Sequence, residues 1–268
     1  MTGDSPVIAV LGLGEAGSAI AADLRDAGIA VRGFDPVAAA PAGIIACDGD
    51  ASACRGAGLV LSLTTAHEAE AALIASLPGV GVDAVYADLN TSSSALKERL
   101  ATLAGEAGVR FADVALMSPV PGHGLRTPML VSGPAAEDYA LLLRGIGANV
   151  EVLPGPPGAA AARKLVRSVF FKGLAAAVTE SLRAARAAGC EDWIRENIAA
   201  ELAAASAATV DRLEHGSIQH ARRRAEEMAA ASDLLRELGV PARIAGASEQ
   251  WLLQLLSEQR QPGGDKTG

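Results

Sequence analysis

The sequence predicts an α/β protein, in which an N-terminal doubly wound sheet is followed by an all-α C-terminal domain. Two observations predict this fold class. Apolar, β-branched segments alternate with helical patterns over residues 7–153, and strands that alternate with helices form a mainly parallel sheet. After the Pro/Gly-rich segment 154–158, Ala, Leu, Glu and Arg dominate with a helical period. The 268 residues suffice for one large domain or two smaller ones.

The strands and helices of the first half follow from local pattern. Residues 7–11 form a continuous apolar run, typical of a strand buried on both faces. Residues 15–27 carry apolar positions at helical spacing and end at Gly28, and residues 29–34 resume as a strand. This is a β-α-β unit. Further strands are predicted at 58–63, 84–89, 109–114, 129–132 and 149–153, and helices at 67–76 and 94–107.

The sequence pattern of the second half predicts helices. Prolines are tolerated in a first helical turn, so the first of these helices begins at the prolines and extends to about Ala188, a length of roughly 30 residues. We expect domains at 1–153 and 154–260, with a disordered tail at 261–268. The long helix carries an apolar stripe through Leu174, Val178, Leu182 and Ala185 that needs a cover. We therefore expect a homodimer.

Composition excludes several classes of protein. Acidic residues outnumber basic ones by 31 to 23, and the net charge of −8 makes nucleic acid and anionic membranes poor partners. The three cysteines form no CxxC pair, so we expect neither a disulfide framework nor a metal site. No signal peptide or membrane span is readable, and we expect a cytoplasmic protein whose partner is a small-molecule substrate.

A glycine loop points to a dinucleotide. Gly12-Leu13-Gly14-Glu15-Ala16-Gly17 matches GxGxxG between the first predicted strand and helix, as in a Rossmann fold. The glycines permit a tight turn, the approach of a pyrophosphate and close packing of helix on strand. Asp35, at the end of the second strand, is placed to bind an adenosine ribose. We also assign to the cofactor site the residues that end and follow the strand at 58–63, namely Leu63, Thr64 and Thr65.

Asp35 decides the expected cofactor. Its carboxylate would repel a 2′-phosphate, and Pro36-Val37-Ala38 supplies no arginine to bind one, so NAD is favoured over NADP. Arg32, three residues before Asp35, weakens this preference because arginine can bind a 2′-phosphate. Two alternatives stay open: a purely structural turn in which Asp35 caps the following segment, and a methyltransferase, which can use a similar strand, loop and acid.

Segments along nearly the whole chain resemble the β-hydroxyacid dehydrogenase and 6-phosphogluconate dehydrogenase superfamily. The family pattern GxxGxGxxxKxxxN is in register at Gly155, Gly158 and Lys164, while Ala160 replaces the third glycine and Ser168 the asparagine. Residues 10–24 are similar to the opening GLGxMGxxxAxxL, with alanine where methionine is usual. Residues 88–91 resemble the DxST segment, with asparagine in place of serine.

Other family segments are more divergent. Residues 113–121 stand where the family has its DAPVSGG substrate loop, and Thr127 with Leu130 resembles the GTL that follows. The last motif, KDLxxA, is replaced by residues 226–228, and Arg224 is a possible substitute for its lysine. These differences indicate a subfamily with its own variety of helical C-terminal domain.

The resemblance implies an NAD(P)-dependent oxidoreductase that transfers hydride to or from a small hydroxy-carboxylate or its oxo form. Lys164 would be the general acid/base, and Asn90 and Ser168 would orient substrate oxygens. Ser118, His123 and Lys172 are the candidate substrate contacts, although a surface loop is the stronger alternative for His123. Lys164, Ser168 and Lys172 also follow one another at i, i+4 and i+8 beside apolar residues, where burial lowers the pKa of a lysine.

Other functions are weighed against this one. Neither tyrosine begins a YxxxK pair, and HExxH, GxSxG and P-loop motifs are absent, which argues against short-chain dehydrogenases, hydrolases and P-loop proteins. An imine reductase shares the two-domain architecture, but such enzymes commonly carry Asp or Tyr at the lysine position. A non-catalytic dinucleotide-binding sensor is the remaining alternative.

Overall fold

The computed structural model describes residues 7–259. They divide into two compact units at Arg167 and Ser168, inside a long helix. The first unit contains an eight-stranded sheet with helices, and the second is helical. The predicted fold class, a Rossmann-like sheet followed by a helical region, is confirmed. The domain boundary at 153/154 stays a prediction, and the tail at 261–268 lies outside the described residues.

The strands of the sheet are β1 Val7–Leu11, β2 Ala30–Phe34, β3 Ile45–Ala46, β4 Ala57–Ser62, β5 Val85–Asp88, β6 Arg110–Leu116, β7 Met129–Ser132 and β8 Val150–Val152. Their order across the sheet is β3-β2-β1-β4-β5-β6-β7-β8. All neighbours are parallel except β6 and β7, which are antiparallel. The first six strands thus have the Rossmann order, in which ligands bind at the carboxyl ends of the strands.

The helices of the first unit are α1 Glu15–Asp26, α2 Asp50–Cys54, α3 Ala69–Ser76, α4 Ser94–Glu106 and α5 Ala136–Arg144, with short 3-10 helices at Leu77–Gly79 and Gly124–Arg126. The predicted helix at 67–76 begins two residues late. Thr65 is the reason, because its hydroxyl and carbonyl oxygens both accept the Glu68 N–H in a preceding turn. Sequence reasoning did not find β3, α2 or α5; β3 and α2 are too short to show a period.

Two apolar cores lie on opposite faces of the sheet. Ile8 and Val10 of β1 belong to one core and Ala9 and Leu11 to the other. Successive side chains of a strand point to opposite faces, so a strand covered on both faces must be apolar throughout. This arrangement explains the uninterrupted apolar run from which the first strand was predicted.

Helix α6, Ala159–Ala187, passes from the first unit into the second and has 29 residues, close to the predicted length. The second unit continues with α7 Glu191–Ala203, α8 Ala207–Gln219, α9 Ala221–Glu237 and α10 Arg243–Glu258. Glu180 of α6 accepts the backbone N–H groups of the first residues of α10 at 2.6–3.0 Å. Across residues 7–259, no helix has the length and apolar character needed to cross a membrane.

Candidate active site

The three glycines of the loop between β1 and α1 have different structural roles. A Cβ on Gly12, whose φ is +87°, would lie 2.4 Å from the carbonyl oxygen of Leu63. A Cβ on Gly17 would lie 1.8 Å from the carbonyl oxygen of Gly12. A Cβ on Gly14 would meet no atom of residues 7–259 within 4 Å. Gly12 and Gly17 therefore serve the packing of the loop, whereas Gly14 faces open space at the N-terminus of α1, where an anion binds favourably.

A cavity of about 560 Å³ adjoins this loop. Four predicted cofactor residues, Gly12, Asp35, Thr64 and Thr65, line it. Two further carboxylates on its wall, those of Asp50 and Glu68, were not predicted. Burial raises the pKa of Asp50. The volume lies within the range of small-molecule sites, so the cavity can hold part of a dinucleotide.

The carboxylate of Asp35 holds the cofactor loop as well as facing the cavity. Its Oδ2 accepts the N–H of Leu13 at 2.7 Å, and its Oδ1 accepts those of Val37 and Ala38 at 2.8 Å. Burial alone would raise its pKa, but these bonds to the charged form lower it below the usual value. The capping role that sequence reasoning weighed as an alternative is therefore present, and it leaves a lone pair on Oδ2 for a ligand hydroxyl.

Lys164 lies in the second turn of α6 and is half-buried. Its Nζ donates a hydrogen bond to Thr91 Oγ1 at 2.7 Å. Burial, together with the positive charges of Lys97 and Arg167, lowers the pKa of Lys164 to about 8. The carboxylate of Asp113 opposes them. Near neutral pH this amine can both accept and release a proton, as a general acid/base must.

Asn90 and Thr91 follow β5, and Thr64 follows β4, at the same edge of the sheet. The Asn90 amide nitrogen lies 3.2–3.3 Å from oxygens of Ser62, Thr64 and Asp88. Its carbonyl oxygen Oδ1 is buried and accepts no hydrogen bond from residues 7–259. The structure thus joins predicted residues of the cofactor and catalytic sets, with a hydrogen-bond acceptor left over for a ligand.

A buried ion cluster that sequence reasoning missed lies beneath these residues. Lys97 of α4 is completely buried, and its Nζ donates at 2.7 Å to both the carbonyl oxygen and Oδ1 of Asp88. The same Nζ is 3.1 Å from Asp113 Oδ1. Asp88 and Asp113 are register partners on β5 and β6. Two aspartates on neighbouring buried strands require a buried cation, and that requirement was the available signal.

The carboxylate of Asp113 also fixes the start of α6. Asp113 Oδ2 accepts the N–H groups of Gly158 and Ala161 at 2.9 and 3.1 Å, and Ser132 Oγ accepts that of Ala160 at 3.0 Å. Gly158 has φ +94°, and a Cβ there would lie 2.9 Å from the Ser94 carbonyl oxygen. The motif glycine at 158 is thus required, whereas alanine at 160 fits into a small core.

The remaining predicted residues lie at other places. Ser118 follows β6, and its buried Oγ has no hydrogen-bond partner within the described part of the chain. His123 is exposed beside the 3-10 helix at Gly124–Arg126, which Asp23 of α1 holds through the Leu125 N–H. No hydrogen bond joins its imidazole to another group of residues 7–259. Ser168 and Lys172 lie along α6 in the second unit, and their role stays a prediction.

Comparison with protein families assigns the first unit. Residues 7–152, more than half of the chain, match the NAD-binding domain of 6-phosphogluconate dehydrogenase. The chain belongs to this family. Residues 185–255 match a domain of unknown function, DUF1932. A search of curated proteins gives no significant match.

Solved structures with this fold include two conserved proteins that share about a quarter of their residues with this chain. A conserved hypothetical protein from Sinorhizobium meliloti has 27% identity and a TM-score of 0.61, with 98% of this chain and 92% of that chain covered. A conserved protein described as structurally similar to 3-hydroxyacid dehydrogenases has 26% identity and a TM-score of 0.60, with coverages of 96% and 100%.

An imine reductase from Myxococcus stipitatus in complex with NADP+ has 17% identity and a TM-score of 0.80, with coverages of 94% and 95%. This last likeness concerns the fold alone. A variant of the same enzyme is in complex with NAD+. Together with the family match, the glycine loop and its cavity identify this member of the 6-phosphogluconate dehydrogenase family as an NAD(P)-binding oxidoreductase with a hydroxyacid-dehydrogenase-like fold.

Proposed function

We propose that the protein transfers hydride between a nicotinamide cofactor and a small hydroxy-carboxylate or its oxo form, with Lys164 as the general acid/base. The observation that carries the proposal is the half-buried amine of Lys164, hydrogen-bonded to Thr91 at 2.7 Å, with its pKa lowered to about 8. A solvated lysine on a helix surface would keep a pKa near 10.4. A pKa lowered towards neutral pH suits proton transfer, because both protonation states are then accessible.

The residues present fit a dinucleotide. The open space over Gly14 and the α1 N-terminus would receive the pyrophosphate, and the cavity with Asp35 would receive the adenosine. When bound, the cofactor supplies or accepts the hydride. NAD is favoured over NADP because carboxylates line the cavity, whereas Arg32, the arginine three residues before Asp35, is not among its lining residues and donates to the Ser52 carbonyl oxygen at 2.7 Å.

Proton transfer at Lys164 Nζ accompanies hydride transfer. In the oxidative direction, the neutral amine takes the proton of the substrate hydroxyl as hydride leaves the carbon that bears this hydroxyl. In the reductive direction, the ammonium returns a proton to the carbonyl oxygen. The Thr91 hydroxyl accepts one N–H of Lys164 and so directs the remaining hydrogens or lone pair of the nitrogen.

Substrate oxygens would be held by groups with spare hydrogen-bonding capacity. Asn90 Oδ1 can accept from a hydroxyl, and the Ser118 hydroxyl can donate to a carboxylate. Buried polar atoms of this kind gain most from a ligand, since leaving them unpaired is costly. Ser168, Lys172 and His123 are the further proposed substrate contacts.

The test is a panel of hydroxy acids, oxo acids, aldehydes and imines, followed at the nicotinamide absorbance with each cofactor. We expect turnover of a hydroxy acid, and a loss of roughly 10²- to 10⁴-fold in kcat for Lys164→Ala with NADH binding retained. Arg163→Ala, which removes the adjacent exposed cation, is the matched control and should retain the rate.

Two results would contradict the proposal. Turnover of imines with hydroxy acids inert would make the protein an imine reductase. Saturable NADH binding without any turnover would make it a dinucleotide sensor.

A further inference from the structure

We propose that Lys97 is a positioning residue that links the Asn90–Thr91 loop to the start of α6 and thereby keeps Lys164 in place. The inference rests on the proposed function, since it assigns Lys97 a part in the work of Lys164. Lys97 does not touch the candidate reacting groups itself. It acts through the two aspartates on either side of it, Asp88 and Asp113.

The first connection leads from Lys97 to the loop after β5. Lys97 Nζ binds both the carbonyl oxygen and Oδ1 of Asp88 at 2.7 Å. The side chain of Asp88 in turn holds Asn90, because its Oδ1 accepts the Asn90 backbone N–H at 2.9 Å and its Oδ2 lies 3.2 Å from the Asn90 amide nitrogen. Thr91, the hydrogen-bond partner of Lys164, is the next residue.

The second connection leads from Lys97 to α6. Its ammonium is 3.1 Å from Asp113 Oδ1, and Asp113 Oδ2 accepts the N–H groups of Gly158 and Ala161. Lys164 follows Ala161 by three residues, which is slightly less than one helical turn. One buried ammonium therefore joins the two segments that present Thr91 and Lys164 to each other.

Lys97 and its partners also set the electrostatic environment of Lys164. Among residues 7–259, the charged groups that shift the pKa of Lys164 include Lys97 from α4, Arg167 from α6 and Asp113 from β6, with Asp88 of β5 paired to Lys97. The positive charges lower the pKa of Lys164, and Asp113 raises it. Removing the charge of Lys97 should therefore raise the pKa of Lys164, while removing the charge of Asp113 should lower it.

These opposite directions make the test selective. We would label the full-length protein with limiting acetic anhydride across a pH series and measure acetylation of Lys164 by peptide mass spectrometry. For the unmodified protein we expect the midpoint near pH 8, as the pKa of Lys164 requires. Lys97→Met should move the midpoint upwards, towards the ordinary lysine value of about 10.4, and Asp113→Asn should move it downwards.

A merely structural role predicts a different pattern. If either substitution only loosened the packing, water would reach Lys164 and both midpoints would rise, which would overturn the proposal. Unchanged midpoints would overturn it as well. Arg99→Met, which removes an exposed cation of α4, is the matched control and should leave the midpoint in place.

A double variant keeps the proposal testable if Lys97→Met alone fails to fold. Lys97→Met leaves two buried carboxylates without their cation, so we would also make Lys97→Met together with Asp88→Asn, which keeps Asp113 as the cap of α6. Circular dichroism checks that each variant folds. The double variant should also label at a higher midpoint than the unmodified protein, and a midpoint equal to that of the unmodified protein would contradict the proposal.

The labelling needs no substrate, so its failure is distinguishable from failure of the proposed function. With a substrate in hand, Lys97→Met should lower kcat by roughly tenfold or more with little change in KM, because positioning acts on the proton-transfer step. Its pH profile should shift in parallel with the labelling midpoint. A change in KM with kcat unchanged would contradict the positioning role.

Discussion

Lys164 shows how a common surface residue becomes a candidate for proton transfer. Its side chain is half-buried, two cations lie nearby, and the hydroxyl oxygen of Thr91 accepts a hydrogen bond from its amine at 2.7 Å. Desolvation disfavours the ammonium form, and like charges add to that effect. The result is a pKa of about 8, at which both the amine and the ammonium are populated near neutral pH.

The pH dependence of the reaction should follow this titration. Oxidation of a hydroxy acid needs the neutral amine of Lys164, so kcat/KM should rise with pH up to about 8 and then level off. Reduction needs the ammonium, so its rate should fall as pH rises through the same value. The measurement is the pH profile in each direction. A flat profile in both directions between pH 6 and pH 10 would exclude Lys164 as the titrating group.

Cofactor choice should depend on the charge of Asp35. Asp35→Ala removes a ribose acceptor and the carboxylate that opposes a 2′-phosphate, so kcat/KM with NADP should rise relative to NAD. The substitution also removes acceptors for the Leu13, Val37 and Ala38 N–H groups, so both affinities should weaken. Asp35→Asn keeps one acceptor oxygen and separates the two effects. Equal use of NAD and NADP by the unmodified protein would count against this assignment.

Some residues of the candidate site could be predicted from the sequence, and others could not. Lys164 could be predicted because the glycines of its motif stand at fixed distances before it. Lys97 was missed, because a lysine on a helix normally lies at the surface. The aspartates of the two predicted strands indicated a buried cation, but only the fold shows that Lys97 lies between them. The buried acceptor of Asn90 likewise depends on which neighbours its amide nitrogen meets.

Among the elements, the glycine loop allows a paired prediction. Gly14→Val should abolish cofactor binding with little change in melting temperature, because the space over Gly14 is open. Gly17→Ala should instead lower the melting temperature, because its Cβ would overlap the Gly12 carbonyl oxygen. Fluorescence titration with NADH and thermal unfolding measure the two effects. Retained NADH affinity in Gly14→Val would refute the assignment of the loop.

The elements themselves were predictable where the pattern was long. The length of α6 and the strand at Met129–Ser132 were predicted closely, because helical period and apolar runs are local properties. The direction of β7 is not local. An apolar strand reads alike in both directions, and β7 runs antiparallel because the connection from β6 holds only a short 3-10 helix instead of a crossover helix.

For the whole molecule we expect a homodimer formed through the second unit. The stripe from which this was predicted is only partly exposed, since Leu174, Val178 and Leu182 are half-buried and Ala185 is buried. The uncovered apolar residues are others: Val169, Phe170 and Trp251 are 76%, 58% and 57% exposed and line a cavity of about 750 Å³. A patch of this kind marks an interaction surface.

Light scattering at micromolar concentration tests this expectation. The mass should be twice that of the chain, 27.0 kDa. Trp251→Glu should shift the mass towards the monomer, because it places a charge on the apolar surface. A monomeric mass for the unmodified protein would contradict the expected dimer.

The edge strands of the sheet affect how readily the protein can aggregate. Its outermost strands are β3, with two residues, and β8, with three. A strand edge is a template for pairing with another chain, and a typical strand of five or six residues would offer a longer one. These short edges give a foreign strand few backbone groups to pair with. When the protein is stored concentrated or gently heated, we therefore expect strand-to-strand fibre formation to begin from unfolded chain and not from the native sheet.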